Sequence, residues 1–129
     1  MSSIFTKIIN GELPSYKVAE DENFYAMLDI NPNAKGHTLC IPKKEVDQIF
    51  DLDEATYLGL MKFSAKVADA LKKTVDCKRI GMTVVGLEVP HVHVHLIPLN
   101  AIKDVTFQHK VSMSEKELAD LAKKIAAQV

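Results

Sequence analysis

Apolar residues at positions 4, 5, 8 and 9 recur at helical spacing and stop at Asn10-Gly11, which predicts a short opening helix. After Pro14, Tyr16–Glu20 and Phe24–Ile30 read as strands joined by the polar turn Asp21-Glu22-Asn23. Period-two alternation in the second strand puts Tyr25, Met27 and Asp29 on one face and Phe24, Ala26 and Leu28 on the other. Turn residues from Asn31 to Gly36 mark a loop, and His37–Pro42 forms a third strand. From Asp53 to about Val75, the positions Tyr57, Leu60, Met61, Val67, Ala68, Leu71 and Val75 follow a helical period, with Asp53 or Asp51 as cap. Gly59 opposes that helix by about 1 kcal/mol relative to alanine. Arg79–Val85 and Val89–Pro98 add two strands around Gly86-Leu87-Glu88. Ser114-Glu115-Lys116-Glu117 has the form of a capping box and opens a last helix over about 114–127, through Leu118, Leu121 and Ile125. The pattern predicts an α+β fold with a largely antiparallel sheet of about five strands. With no repeat, linker or low-complexity segment, residues 1–129 are expected to form one domain.

Composition narrows the function classes. Sixteen basic residues against seventeen acidic ones leave a net charge of -1, which disfavours nucleic acid or an anionic membrane as a general partner. No apolar run reaches the eighteen or more residues of a membrane span, and the N-terminus lacks a signal-peptide pattern. Two cysteines, Cys40 and Cys77, have no metal-binding spacing and suit a reducing compartment, so the expected location is cytoplasmic.

Histidine placement carries the candidate chemistry. Three of the five histidines fall in His91-Val92-His93-Val94-His95, followed by Leu96 and Ile97. On a strand, residues two apart share a face, so the three imidazoles line one side while Val92, Val94 and Leu96 pack the other. A merely solvated face predicts mixed threonine, lysine and glutamate rather than three titratable rings. A single tetrahedral metal is hard to share, because the outer Cα atoms of an extended strand lie about 13 Å apart. Phosphate chemistry suits the cluster better: neutral imidazole is nucleophilic near pH 7, and neighbouring rings can hold its tautomer and donate to phosphate oxygens. No GxxxxGK[ST] loop is present, so phosphate would be held by the imidazole face and local backbone amides.

These residues resemble the signature of the histidine triad (HIT) superfamily. The opening Ile4-Phe5-x-Lys7-Ile8-Ile9-x-Gly11-Glu12-x-Pro14 is similar to its first segment. Ala26-x-x-Asp29-Ile30-x-Pro32-x-Ala34-x-Gly36-His37-x-Leu39-x-Ile41-Pro42-Lys43 is similar to its ribose-binding strand and the strand after it. The likeness runs over about residues 3 to 99 and implies a HIT-like half-barrel with one long helix and a C-terminal helix. By that resemblance His93 is the nucleophile toward an α-phosphate, forming a nucleotidyl-histidine intermediate. His91 and His95 flank it, and His37 is a fourth active-site histidine. Asp29 would accept hydrogen bonds from the ribose hydroxyls, and Phe5, Ile8, Met27 and Ile30 would form the apolar slot for the base.

The departures from the family pattern matter too. Many relatives bind zinc with a Cys-x-x-Cys pair, a histidine after the Ile-Pro-Lys strand and the first triad histidine. Here those positions hold Ser3, Thr6 and Glu45 beside His91, so no metal and no other cofactor is expected. The connection Val85-Gly86-Leu87-Glu88-Val89-Pro90 is shorter than the relatives' phosphate-binding loop and brings in a carboxylate. The resemblance implies a hydrolase or nucleotidyl transferase acting on a nucleoside phosphoramidate, adenylate or dinucleoside polyphosphate, with a purine nucleotide as ligand and a homodimer as the assembly. Two alternatives stand beside it: a nucleotide- or partner-binding protein with little turnover, and transition-metal binding through His91 and His93.

Overall fold

A computed structural model describes residues 2–129. The first helix, α1 (Ile4–Ile9), is capped by Ser3, whose side chain accepts from the Thr6 amide. Strands β1 (Lys17–Glu20) and β2 (Phe24–Leu28) form a hairpin. Its turn is closed by Asp21, whose Oδ1 accepts from the amides of Asn23 and Phe24, both at 2.8 Å. Next come β3 (Thr38–Pro42), the long helix α2 (Glu54–Thr74), β4 (Arg79–Thr83), β5 (Val94–Leu99) and α3 (Glu115–Ala126). Short 3-10 turns at Ile49–Asp51 and Ile102–Val105 complete the chain. No helix is long and apolar enough to cross a membrane among the described residues.

The five strands make one antiparallel sheet in the order β1-β2-β3-β5-β4, an α+β architecture. Alternation sorts its two faces as the pattern predicts. Phe24, Ala26, Leu28, Cys40, Val94 and Leu96 pack beneath Leu60, Phe63, Val67 and Leu71 of α2 and Leu118, Leu121 and Ile125 of α3. Each fully buried leucine or valine there contributes about 1.5–3 kcal/mol. Tyr25, Met27, Leu39 and Ile41 face the opposite way and are covered in part by Phe5 and Ile8 of α1. His95 alternates with Val94 and Leu96 and therefore belongs to this second, less covered face.

Gly59 turns out to be a packing requirement. A Cβ there would lie 2.7 Å from the Phe24 ring, so glycine lets α2 approach the sheet. Asp53 is the cap of α2, and Ser114 with Glu117 forms the capping box of α3, as expected.

The expected strand Val89–Pro98 needs correcting, because β5 begins only at Val94. Pro90 has no amide to give a ladder, the His91 amide turns back to the Val89 carbonyl at 2.9 Å, and Val92 N–H donates to the Val46 carbonyl at 2.8 Å. His91 and His93 thus lie on irregular backbone leading into β5, and only His95 sits in the sheet, paired with Leu39 and Thr83. On the neighbouring strand, β4 ends at Thr83 rather than Val85.

Candidate active site

Among the four clustered histidines, His37, His91 and His93 each have one ring nitrogen tied to a main-chain group of fixed role, and His95 follows from His37, which assigns the tautomers. His91 Nε2 lies 2.7 Å from the Pro42 carbonyl and must donate to it, so Nδ1 accepts from the Ser3 hydroxyl at 2.7 Å. His93 Nδ1 donates to the His91 carbonyl at 2.7 Å, which leaves the lone pair on Nε2. On the other side, the Asn33 amide donates to His37 Nδ1 at 3.0 Å. His37 Nε2 then carries the proton and donates to His95 Nδ1 at 2.9 Å, so His95 presents an N–H at Nε2. The rings follow one another: Phe5 to His93 at 5.0 Å, His93 to His95 at 4.9 Å and His95 to His37 at 5.2 Å.

Burial favours the neutral form of three of these rings, His37, His91 and His95. It is the main cause that brings His37 down to about 3 and His95 down to about 4, aided by the positive charge of Lys110 and the neighbouring imidazoles. His91 is lowered for the same principal reason, against an opposing pull from the Pro42 carbonyl and Glu45.

A cavity of about 470 Å³ opens beside them. His93, His95 and Asp29 line one part of it and the loop Val85–Glu88 another. Asp29 Oδ1 accepts from the Asn31 amide at 2.8 Å, and Oδ2 lies 3.7 Å from His37 Nε2. Partial burial raises the Asp29 carboxyl above its ordinary value. His37 and His91 stand behind the cavity wall as partners of the two that line it. Phe5 and Met27 are buried together with Ile8 packed against them, whereas Ile30 is 73% exposed and outside that cluster. Glu88 shares the cavity with Asp29, so two carboxylates line one space.

The family model of the HIT domain matches residues 10–102. The chain belongs to the HIT family. It is 42% identical over 102 residues to an uncharacterized HIT-like protein of Borreliella burgdorferi, covering 74% of this chain and 73% of that one. It is 40% identical over 96 residues to adenosine 5'-monophosphoramidase HNT1 of Saccharomyces cerevisiae, covering 74% and 61%. A Hit-like protein from Bartonella henselae superposes with a TM-score of 0.86 at 34% identity, over 99% of this chain and 96% of that one. A zinc-bound histidine triad protein from Mycobacterium smegmatis superposes at 0.83 with 25% identity, over 99% and 93%.

In this HIT protein the positions Ser3, Thr6, Glu45 and His91 do come together. Glu45 Oε1 accepts from the Ser3 amide and from the Thr6 hydroxyl, each at 2.6 Å, and these bonds pull the carboxyl down to about 2. Ser3 completes the link by donating to His91. The set offers two hydroxyls in place of thiolates, with Ser3 and Glu45 already engaged, and this does not suit a structural zinc. A different grouping lies at the cavity: Asp29, His37 and His95 offer ligand atoms all within 4.8 Å of one another. Two of those atoms are joined in the His37–His95 hydrogen bond, so a metal there would have to displace the proton that orients His95.

Sequence reasoning missed three residues. Asn33, fully buried, fixes His37 through its amide. Phe107 and Lys110 line the cavity from the segment after β5. Polar Asn33 lay in a stretch read only as a turn, and the other two lie where no hydrophobic period operates.

Proposed function

We propose that the protein is a nucleotide hydrolase or nucleotidyl transferase that works through a covalent intermediate on His93. The observation that carries this reading is the His93 tautomer: Nδ1–H is committed to the His91 carbonyl, leaving a lone pair on Nε2 of a ring that lines the cavity. Nε2 attacks the α-phosphorus, an N–P bond forms, and the bond to the leaving group breaks with its electron pair. His95 Nε2–H donates to a phosphate oxygen. A departing amine takes up one proton from solvent as it leaves, and the water that later hydrolyses the intermediate gives one back. Water then attacks phosphorus, breaks the N–P bond and releases the monophosphate. Asp29 accepts from the ribose hydroxyls, and Phe5, Ile8 and Met27 supply apolar surface for a purine, without Ile30, which lies outside their cluster.

Support comes also from HNT1, named as an adenosine 5'-monophosphoramidase, and from a second protein of that name in Schizosaccharomyces pombe at 34% identity. Turnover of adenosine 5'-phosphoramidate is the test. His93→Ala is expected to abolish it while circular dichroism stays that of the wild type, and undiminished turnover in that variant rules the mechanism out.

Glu88 favours a second reading, a nucleotide-binding protein with little turnover, because its carboxylate lines the cavity where a phosphate would sit. That reading requires saturable AMP binding without hydrolysis, and a gain of activity in Glu88→Ser. A homodimer belongs to the same proposal. β4 is an edge strand with Met82 half exposed, a surface suited to pairing, and light scattering measures the mass.

A further inference from the structure

The segment after β5 is built to hold two side chains against the histidines. Asp104 is buried, and its Oδ2 accepts from the amides of Asn100 at 2.8 Å and Ala101 at 3.0 Å, which fixes the turn Ile102–Val105. Asn33 Nδ2 donates to the Asp104 carbonyl at 3.0 Å, tying this turn to the loop that carries His37. Phe107 follows with a φ of 61°, the left-handed region, which costs a residue with a side chain about 1–2 kcal/mol. That backbone comes with a specific placement: the ring meets His95 edge-on at 4.9 Å and His37 at 6.0 Å. A strained residue held by packing against an active-site row points to a role at the site.

Lys110 is held as closely. Its Nζ donates to Asn33 Oδ1 at 2.7 Å and to the Asn31 carbonyl at 3.1 Å, and lies 5.0 Å from the centre of the Phe107 ring. An ammonium has three donors, and two are engaged. The cavity wall carries the carboxylates Asp29 and Glu88, beside the His95 ring that burial keeps neutral. Lys110 is the one lysine or arginine on that wall among the described residues. Without it the cavity would present negative charge to an anionic substrate.

We propose that Phe107 and Lys110 form the subsite for the leaving group, and that it selects leaving groups bearing phosphate over neutral amines. This rests on the nucleotide reading given above. When His93 Nε2 attacks the α-phosphorus of a dinucleoside polyphosphate, the N–P bond forms and the bridging P–O bond breaks. The electron pair stays on the departing phosphate oxygen, and the Lys110 ammonium offsets that charge. The phosphate leaves without needing a proton, whereas an amine must acquire one. Phe107 shields the row from water on this side and holds the ammonium by its ring face.

The test compares kcat/KM for diadenosine triphosphate, which releases ADP, with that for adenosine 5'-phosphoramidate, which releases ammonia. Wild type, Lys110→Gln and Lys110→Arg are measured together, with AMP binding in parallel. A charged contact of this kind is worth about tenfold or more, so Lys110→Gln is expected to lower the ratio of triphosphate to phosphoramidate activity at least tenfold. Lys110→Arg, which keeps the charge, is expected to hold that ratio within about threefold of wild type. Equal losses on both substrates, no loss on either, an arginine variant as impaired in the ratio as the glutamine variant, or a wild type active only on the phosphoramidate each overturn the subsite and leave the nucleotide reading standing. A wild type that hydrolyses neither substrate and does not bind AMP overturns the nucleotide reading, and the subsite with it.

Discussion

Lowering the pH from 7 to 5 should destabilise this protein through its buried imidazoles. A histidine in the unfolded chain titrates near 6.5. In the folded chain His37 is held down at about 3 and His95 at about 4, chiefly by burial. Below pH 6.5 the unfolded chain therefore takes up protons that the folded chain refuses, and stability is lost as pH falls. The slope is about 1.4 kcal/mol per pH unit for each histidine. Integrated from pH 7 to 5, the pair contributes a loss of about 3–4 kcal/mol, a large part of the 5–15 kcal/mol typical of a domain. His91, also lowered, adds in the same direction. Asp29 opposes it, because a raised carboxyl relaxes as pH falls, while Glu45, held at about 2, matters only below its ordinary range. Urea unfolding followed by circular dichroism at pH 7, 6 and 5 measures the slope. His37→Gln should cut the contribution of the pair by about half. A wild-type loss under about 1 kcal/mol, or an unchanged slope in His37→Gln, would refute the account of buried neutral rings.

Ser3→Ala removes both the cap of α1 and the donor to His91 Nδ1 inside a buried site, so a loss of about 2–3 kcal/mol is expected in urea unfolding, and one below 1 kcal/mol contradicts it. Gly59→Ala gains about 1 kcal/mol of helix propensity but sets a methyl 2.7 Å from a Phe24 ring already packed on Phe63; overpacking of about 1–3 kcal/mol should prevail, and a rise in Tm would show that it does not. Gly36→Ala meets a φ of +98° and a Val75 methyl at 2.9 Å, so a loss above about 2 kcal/mol is expected, and unfolding within 0.5 kcal/mol of wild type rejects it. Asp29→Asn keeps an acceptor for the Asn31 amide but only one carbonyl oxygen for a diol, so AMP affinity by calorimetry should fall about tenfold, and an unchanged Kd removes Asp29 from the ribose site.

The fold was legible wherever burial imposes a period. Phe24, Ala26 and Leu28 separate from Tyr25 and Met27 because the helices cover one face of the sheet, and the capping box at Ser114 is a local rule that needs no tertiary context. Valine-rich alternation misled at residues 89–93, where irregular backbone satisfies its amides by a turn and by the Val46 carbonyl instead of a ladder. Gly59 read as a weakness of α2 because its reason lies across the interface, in the Phe24 ring.

The site was legible in its residue types and less so in its partners. The triad spacing brought out His91, His93 and His95, and the family likeness added His37, Asp29 and the apolar residues. Of these, His93, His95 and Asp29 line the cavity, Phe5 and Met27 lie buried together, and Ile30 stands apart on the surface. Lys110 and Phe107 could not be read, since their positions depend on the turn at Asp104 and on its tie to Asn33, a contact across 71 positions of sequence.

Three identical side chains two residues apart differ in role because of what holds their second nitrogen. Pro42 and His91 offer carbonyls, which can only accept, and the Asn33 amide can only donate. From the carbonyl side, His93 ends with a lone pair at Nε2. From the amide side, passing through His37, His95 ends with an N–H at Nε2. The two sequences of bonds run with opposite polarity and terminate on rings 4.9 Å apart in one cavity. A lone pair and an N–H donor therefore stand side by side, as the proposed attack on phosphorus requires, and both trace back to main-chain groups that do not titrate. Burial that holds His37 and His95 neutral keeps this assignment intact near pH 7, and the same burial makes the fold lose stability in acid. The pH range in which the triad can hold its roles is thus the range in which the sheet and loops around it are most stable.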